Sequence, residues 1–483
     1  MVRSKPTRSP NAQRALVWSF ANTAIGKFGT VLISVIIARL LGPDEFATFA
    51  VAMVALAAVL SFNELGVSLA IVRWEGDPRS IGPTVTSISV VASLVFFAAG
   101  LLAAPEFAEA MGDPGATDVV RLMLVCVPLN GLVATPAAML QREYQQGRRT
   151  VADQVNIWLG AGISIALVIL GWGAMSLAIG RVVASVVFSV MLILYSPAPL
   201  RFGWHRDLVG PLLRFGLPLA GASIVVFTVG YADQIVVGSV IGAKALGFYL
   251  LAFNLSSWPV TLLSQPIRAV APAAFARIQT DRDQMDVNYR AAYTVVFAVA
   301  APVCAFIAAA ADPIVTFVFG AEWVSAAAAL QWLALAAVVR ILFELSYDFL
   351  AVKRRSTVLM AVQIAWLTAL VPALLVGAQL SGIGGVAAAQ FVVATLILIV
   401  GYGWALSSAG VDAWALMRSS LLPVVAGVVA GAGSILITRM VDSDLVADLT
   451  AGFFSLAVMG MSVWMVRSSL RTLRGATRME SSA

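Results

Sequence analysis

Residues 358–379 read VLMAVQIAWLTALVPALLVGAQ, and after Leu380-Ser381-Gly382 residues 383–406 read IGGVAAAQFVVATLILIVGYGWAL. Neither run holds an aspartate, glutamate, lysine or arginine. Each is long enough to cross the ~30 Å hydrocarbon core of a bilayer, which takes about 20 helical residues. Water is absent there, so the backbone must satisfy its own N–H and C=O groups, and a helix does so within one segment. The two runs therefore read as a pair of membrane-spanning helices joined by a tight connection.

The same pattern fills the chain. Of 483 residues, 60% are hydrophobic and 12% charged, with a mean hydropathy of +0.93; a soluble domain carries about 25% charged residues. Fourteen spanning segments are expected, at 16–37, 46–72, 83–104, 119–140, 153–171, 174–195, 215–241, 246–275, 291–319, 326–352, 358–379, 383–406, 420–440 and 447–466. The eighth and ninth exceed what a bilayer needs. Pro259, Pro266 and Pro272 in one, and Pro302 and Pro313 in the other, are expected to kink them. The fold class is an all-α integral membrane protein.

Composition also excludes. The net charge of +6 and pI near 9.6 do not indicate a nucleic-acid partner, because the basic residues sit in short clusters between apolar runs. Cys126 and Cys304 lie inside apolar runs, which points to neither a disulfide framework nor a zinc site. The lone histidine, His205, sits in a polar loop, so a histidine cluster is ruled out. Gly382-Ile383-Gly384-Gly385 opens a membrane helix with no strand before it and is not a nucleotide loop. The basic N-terminus (MVRSKPTRSPNAQR) precedes an apolar run too long for a signal-peptide core, so a retained first helix is expected. The longest loops, about 105–118 and 196–214, are too short for an independent domain.

Charge sets the orientation. With the N-terminus inside, clusters such as Arg142, Arg148, Arg149 and Lys353-Arg354-Arg355 fall on the cytoplasmic side. Asp44, Glu45, Glu106, Glu109, Asp113, Asp118, Asp442 and Asp444 fall outside. This is the positive-inside pattern with both termini cytoplasmic. An internal repeat also shows: Gly42 matches Gly242, Phe49 matches Tyr249, and Gly147-Arg148-Arg149-Thr150 matches Lys353-Arg354-Arg355-Ser356. Six helices separate equivalent points, so the halves are parallel repeats. The expected domains are a six-helix lobe over 1–200, a second over 201–410, and a helix pair with a basic tail over 411–483.

Ionisable side chains are costly in lipid and mark functional candidates. Those inside the segments are Lys27, Glu64, Asp153, Arg181, Asp233, Arg268, Asp312, Arg340, Glu344 and Asp348. Lys27, flanked by Gly26 and Gly29, reads either as a cavity cation or as a lysine reaching an interface. Arg340 and Glu344 share a helical face, as a cavity cation held by its acid or as a purely structural pair. Arg181 and Arg268 belong to a cavity or to a membrane face. Asp233 and Glu64 read as sites for a coupling cation or sugar hydroxyl, or as interhelical hydrogen-bonding groups. Asp153 and Asp312 sit near segment ends and read as interfacial. The basic clusters read first as topological anchors that also attract anionic headgroups, and Gly427 with Gly431 as a close-packing face.

Several segments together resemble the oligosaccharide flippases of the polysaccharide transporter family, within the multidrug/oligosaccharidyl-lipid/polysaccharide exporter superfamily. They are ARLLGPDEF (38–46), ELGVSLAIVR (64–73), LQREYQQGRR (140–149), DQIVVGSVIGAKALGFY (233–249), PAAFARIQ (272–279) and FGAEWVSAAAALQWLA (319–334). The resemblance implies a twelve-helix core in two lobes that opens to either face in turn. It implies an isoprenoid-diphosphate-linked oligosaccharide carried from the inner to the outer leaflet of a bacterial cytoplasmic membrane. Helices 13 and 14 resemble those that help form a lipid-tail groove in lipid II flippases. A diphosphate needs cations, and arginine meets it bidentately, so Lys27, Arg181, Arg268 and Arg340 are the expected substrate-binding residues. Glu64, Asp233 and Glu344 are the expected cavity acids, coupled to an H⁺ or Na⁺ gradient or to the membrane potential, with no cofactor. Membrane lipids, and a glycan polymerase or glycosyltransferases of the same pathway, are the expected partners, and nucleic acid is not one. The competing readings are an ion-coupled drug or organic-cation antiporter of the same superfamily, a membrane glycan polymerase or ligase, and a scaffold that transports nothing.

Overall fold

The computed structural model describes the backbone over residues 12–63, 66–277, 282–353, 355–441, 444–469 and 471. Side chains are described from Ile33 onward, except at 63, 222, 264–277, 282–283, 356 and 444–445. Every regular element among these residues is helical, with no strand. The helices are α1 (Ala12–Asn63), α2 (Val67–Arg73), α3 (Pro78–Ala110), α4 (Thr117–Leu124), α5 (Cys126–Arg142), α6 (Gln146–Ile169), α7 (Met175–Tyr195) and α8 (Arg206–Val236). They continue with α9 (Ala243–Arg277), α10 (Arg282–Ala309), α11 (Ala311–Phe319), α12 (Ala327–Val352), α13 (Ser356–Leu396), α14 (Gly403–Ser408), α15 (Ala413–Met440) and α16 (Asp444–Met465).

Twelve stretches among the described residues are long and apolar enough to cross a membrane. They coincide with the expected segments from the second onward. The two opening runs lie in one stretch, Thr357–Ser408, broken at Ser381 (φ −147°, ψ 25°) and Gly382 (φ 56°, ψ −137°).

Several boundaries differ from the sequence reading. No loop separates the first two segments: α1 continues through 37–46 and departs from helical geometry only at Gly42 (φ 73°, ψ 172°). The second segment, expected to reach residue 72, ends by Asn63. Gly66 at φ 64° then starts the separate short helix α2. The expected 119–140 is split at Val125 into α4 and α5. Pro128 lacks the N–H that would bond to the Leu124 carbonyl, which weakens the helix there. The expected 291–319 is split at Ala310 (φ −99°, ψ 23°), three residues before Pro313. A turn of π-helix over Val237–Ile241 follows α8 and ends at Gly242 (φ 115°, ψ 170°), a conformation open to glycine and strained for other residues.

The described chain divides into two compact units, one of Ile33–Leu250 and a second in which the residues up to Leu32 join the chain from Leu251 onward. In the first, α6 packs on α7, α5 on α3 and α7, and α2 on α3, α5 and α8. Arg142 at the end of α5 ties α2 down: Nη1 donates to the carbonyls of Ile71 (2.6 Å) and Trp74 (2.7 Å), and Nη2 to Gly76 (3.3 Å). These are carbonyls a helix end leaves unserved. At the opposite ends of the helices the chain around Gly42 is clamped. Glu45 accepts from the Ala174 N–H at 2.7 Å, Thr48 donates to Asp113 at 2.6 Å, and Asp44 pairs with Lys244 at 2.8 Å.

In the second unit, α10 is central and packs on α12, α15 and α16. Its inner face is Met285, Tyr289, Tyr293, Val296, Ala300 and Cys304, spaced by three or four as one helical stripe requires. Gly427 and Gly431 let α15 approach α10 closely: a Cβ on Gly427 would lie 3.2 Å from that of Ala301, and one on Gly431 3.6 Å from that of Ala305. Large apolar side chains face outward in both units, among them Leu102, Leu194, Leu380 and Phe453. Lipid accommodates such a surface without cost and water does not.

Candidate functional site

Asp233 lies in the last turn of α8, just before the π-turn, and is 2% exposed. Its Oδ2 accepts from the Tyr249 hydroxyl at 2.8 Å and its Oδ1 from the Gln234 N–H at 2.8 Å. Gly242 turns the chain from α8 into α9, which sets fully buried Tyr249 against the acid. Two residues before Asp233, Tyr231 stacks on Phe227, with ring centroids 4.9 Å apart. Asp233 and Arg181 both lie near enough for their charges to act on Tyr231. Arg181 is exposed on α7 and makes no ion pair among the described residues. Two expected site residues, Asp233 and Arg181, thus lie in the first unit, with a tyrosine that the sequence reading did not single out. A buried carboxyl with a phenol donor can hold a proton or a small cation. A nearby unpaired guanidinium can meet an anion.

Arg340 and Glu344 lie half-buried on α12 of the second unit. The expected pairing between them is not formed. The Arg340 guanidinium carbon sits 5.2 Å from the Phe253 ring centroid, a weakly hydrated planar cation resting on an aromatic face. Phe253 on α9 carried no charge to mark it in the sequence. Asp348, one turn beyond Glu344, is buried. Asp312 is exposed in the first turn of α11, where a helix N-terminus favours an acid. Asp153 on α6 is half-buried. Lys27 and Arg268 fall on the backbones of α1 and α9 with side chains outside the described residues, and Glu64 lies outside them altogether.

A groove of about 1060 Å³ runs along the second unit between α10, α12, α13 and α15. Phe297, Leu335, Phe391, Trp414, Met417 and Val424 are among its walls, and among the described residues no acidic or basic side chain lines it. Gln331, Ser346, Thr395 and Ser420 are scattered polar points along it.

Comparison with known proteins places this architecture. The family described as "Polysaccharide biosynthesis protein" matches over residues 36–328. The chain belongs to that family. It is a polysaccharide transporter and not an enzyme. The transporter is 25% identical over 323 residues to the succinoglycan biosynthesis transport protein ExoT of Rhizobium meliloti (strain 1021), spanning 67% of this chain and 65% of ExoT. It is 23% identical over 388 residues to the lipopolysaccharide biosynthesis protein WzxC of Escherichia coli (strain K12), spanning 80% of this chain and 79% of WzxC. Among solved structures, the inward closed lipid II flippase MurJ superposes with a TM-score of 0.72 at 14% identity, covering 93% of this chain and 98% of MurJ. An inward-facing multidrug resistance transporter of the MATE family gives 0.64 at 17%, covering 82% and 99%. At these identities the likeness fixes the transporter's fold and leaves its cargo to the residues of the site.

Proposed function

We propose that this transporter flips an isoprenoid-diphosphate-linked oligosaccharide from the inner to the outer leaflet of a bacterial cytoplasmic membrane by alternating access. The observation that carries the reading is the groove beside α15. An uncharged trough of about 1060 Å³ fits a branched hydrocarbon chain and offers nothing to a hydrophilic solute or a bare cation. The names of ExoT and WzxC, both biosynthesis proteins for surface polysaccharides, support the sugar end of the cargo. Arg181 and Arg340, with Lys27 and Arg268, are the cations proposed to meet the diphosphate. Asp233, Glu64 and Glu344 are the proposed coupling acids for H⁺, Na⁺ or the membrane potential. A glycan polymerase or glycosyltransferases of the same pathway are the proposed protein partners.

The proposed topology is fourteen helices in two parallel repeats plus α15 and α16, with both termini cytoplasmic. Twelve apolar stretches give thirteen crossings when Thr357–Ser408 is divided at Gly382. The helical segment ahead of Gly42 supplies the fourteenth. Matching positive φ at Gly42 and Gly242 supports the repeat.

Thermal unfolding of the purified protein tests the cargo. A polyprenyl-diphosphate oligosaccharide is expected to raise the melting temperature. The free oligosaccharide and an organic cation such as ethidium are expected to leave it unchanged. Stabilisation by ethidium and not by the lipid-linked sugar would assign the protein to drug export, with buried Asp233 as the cation site.

A further inference from the structure

At the end of the second unit where its basic residues gather is a pocket of about 400 Å³, separate from the apolar groove. Asp286, Phe349, Lys353, Arg355, Ser407 and Gly410 are among the residues lining it. The Lys353–Arg355 cluster is more than a topological anchor here. Arg355 donates Nη2 to the Ser408 carbonyl at 2.9 Å, which commits one of the five N–H donors of a guanidinium and holds it at the rim. Lys353 places Nζ 5.8 Å from the Phe349 ring centroid. Asp286 is fixed by Arg290, whose Nη2 lies 2.7 Å from Oδ2. Its other oxygen, Oδ1, is buried with no hydrogen-bond partner. A buried carboxylate oxygen in that condition costs stability until a donor arrives. The last carbonyls of α14, at Ser407 and Ser408, add the negative end of a helix to the same wall.

Two cations and one acid with an unserved oxygen do not suit a diphosphate, which would meet Asp286 as a like charge. They suit a zwitterion. We infer that this pocket binds the headgroup of phosphatidylethanolamine, its phosphate on Lys353 and Arg355 and its primary ammonium on Asp286. The ammonium has N–H donors for the Asp286 carboxylate that lines the pocket, and the quaternary ammonium of phosphatidylcholine has none, so the site discriminates between two lipids of equal net charge. The inference does not depend on what the protein transports.

Native mass spectrometry of the purified full-length protein, titrated with short-chain phosphatidylethanolamine, phosphatidylcholine, phosphatidylglycerol and inorganic phosphate, tests it. One charge-assisted hydrogen bond separates the first two lipids, so phosphatidylethanolamine is expected to bind about tenfold tighter than phosphatidylcholine. Asp286→Asn should bring that ratio to about one, because the charge that selects the ammonium is gone. The double variant K353Q/R355Q, which leaves the Asp286–Arg290 pair intact, should weaken both lipids about tenfold or more. Equal binding of the two lipids by the unaltered protein would overturn the assignment. So would a preference that survives Asp286→Asn in a folded protein. Tighter binding of phosphatidylglycerol or free phosphate would make this a plain anion site and also overturn it.

Discussion

Asp233 shows what a single residue reveals and what it hides. An acid inside an apolar run is conspicuous because lipid penalises it, so its place as a candidate was legible in the sequence. Its partner was not: Tyr249 lies sixteen positions on, and only the turn at Gly242 brings it alongside. Tyr249→Phe keeps the ring and removes the donor, leaving Oδ2 short of a bond, and should cost about 1–3 kcal/mol in chemical or thermal unfolding. Asp233→Asn should leave the protein folded and lower gradient-driven transport at least about tenfold, a barrier increase of ~1.4 kcal/mol; unchanged gradient dependence would remove Asp233 from coupling. Arg340 illustrates the opposite error. Its spacing to Glu344 was plain, yet the guanidinium rests on Phe253 instead. In a low-polarity environment an aromatic face competes for a weakly hydrated cation, and i to i+4 spacing alone does not choose between them.

At the scale of elements, helices were easier to place than breaks. A run of about twenty apolar residues announces itself, and twelve such runs recur in the structure. The interruptions at Gly66 and Ala310 come from one or two backbone angles, on which a hydropathy window has no purchase. The break at Gly242 is the one most open to test. At φ 115° a Cβ is strained even though it would meet no atom within 4 Å, so Gly242→Ala should destabilise by about 1–3 kcal/mol through conformation alone. A neutral result in an unfolding titration would mean that the chain adopts another angle there. The groove depends on α15, which reaches α10 through Gly427 and Gly431. Met417→Lys puts a charge on its wall without touching that contact. Insertion and folding should be unaffected, and movement of a lipid-linked cargo should fall about tenfold or more, because a cation must be desolvated for a hydrocarbon chain to lie against it; full activity would exclude the groove from tail binding.

At the scale of the molecule, the basic residues predict the topology, and the proposed role of Lys27, Arg181, Arg268 and Arg340 is to meet the cargo's charge. The bias of arginine and lysine puts Tyr144, 90% exposed between α5 and α6, in the cytoplasm, and Trp172, 54% exposed between α6 and α7, outside. Both native cysteines are buried, so a thiol reagent that cannot cross the membrane should label Trp172→Cys in intact cells and spare Tyr144→Cys; the reverse pattern would invert the topology. The sequence exposed the membrane class and the acid in α8 because both depend on local composition. It concealed the groove, since Phe297, Phe391 and Met417 are ordinary membrane residues until four helices assemble around it.

The most direct test of a lipid-linked cargo met by these cations is a flipping assay in proteoliposomes. A fluorescent polyprenyl-diphosphate oligosaccharide is placed in one leaflet and its appearance in the other is followed, with the unaltered protein and with Lys27→Gln/Arg340→Gln. Protein-dependent flipping that the double variant loses, while still folding and inserting, is the predicted result. Flipping at the full rate by that variant would contradict the role of the cations, and no flipping by the unaltered protein would contradict the cargo.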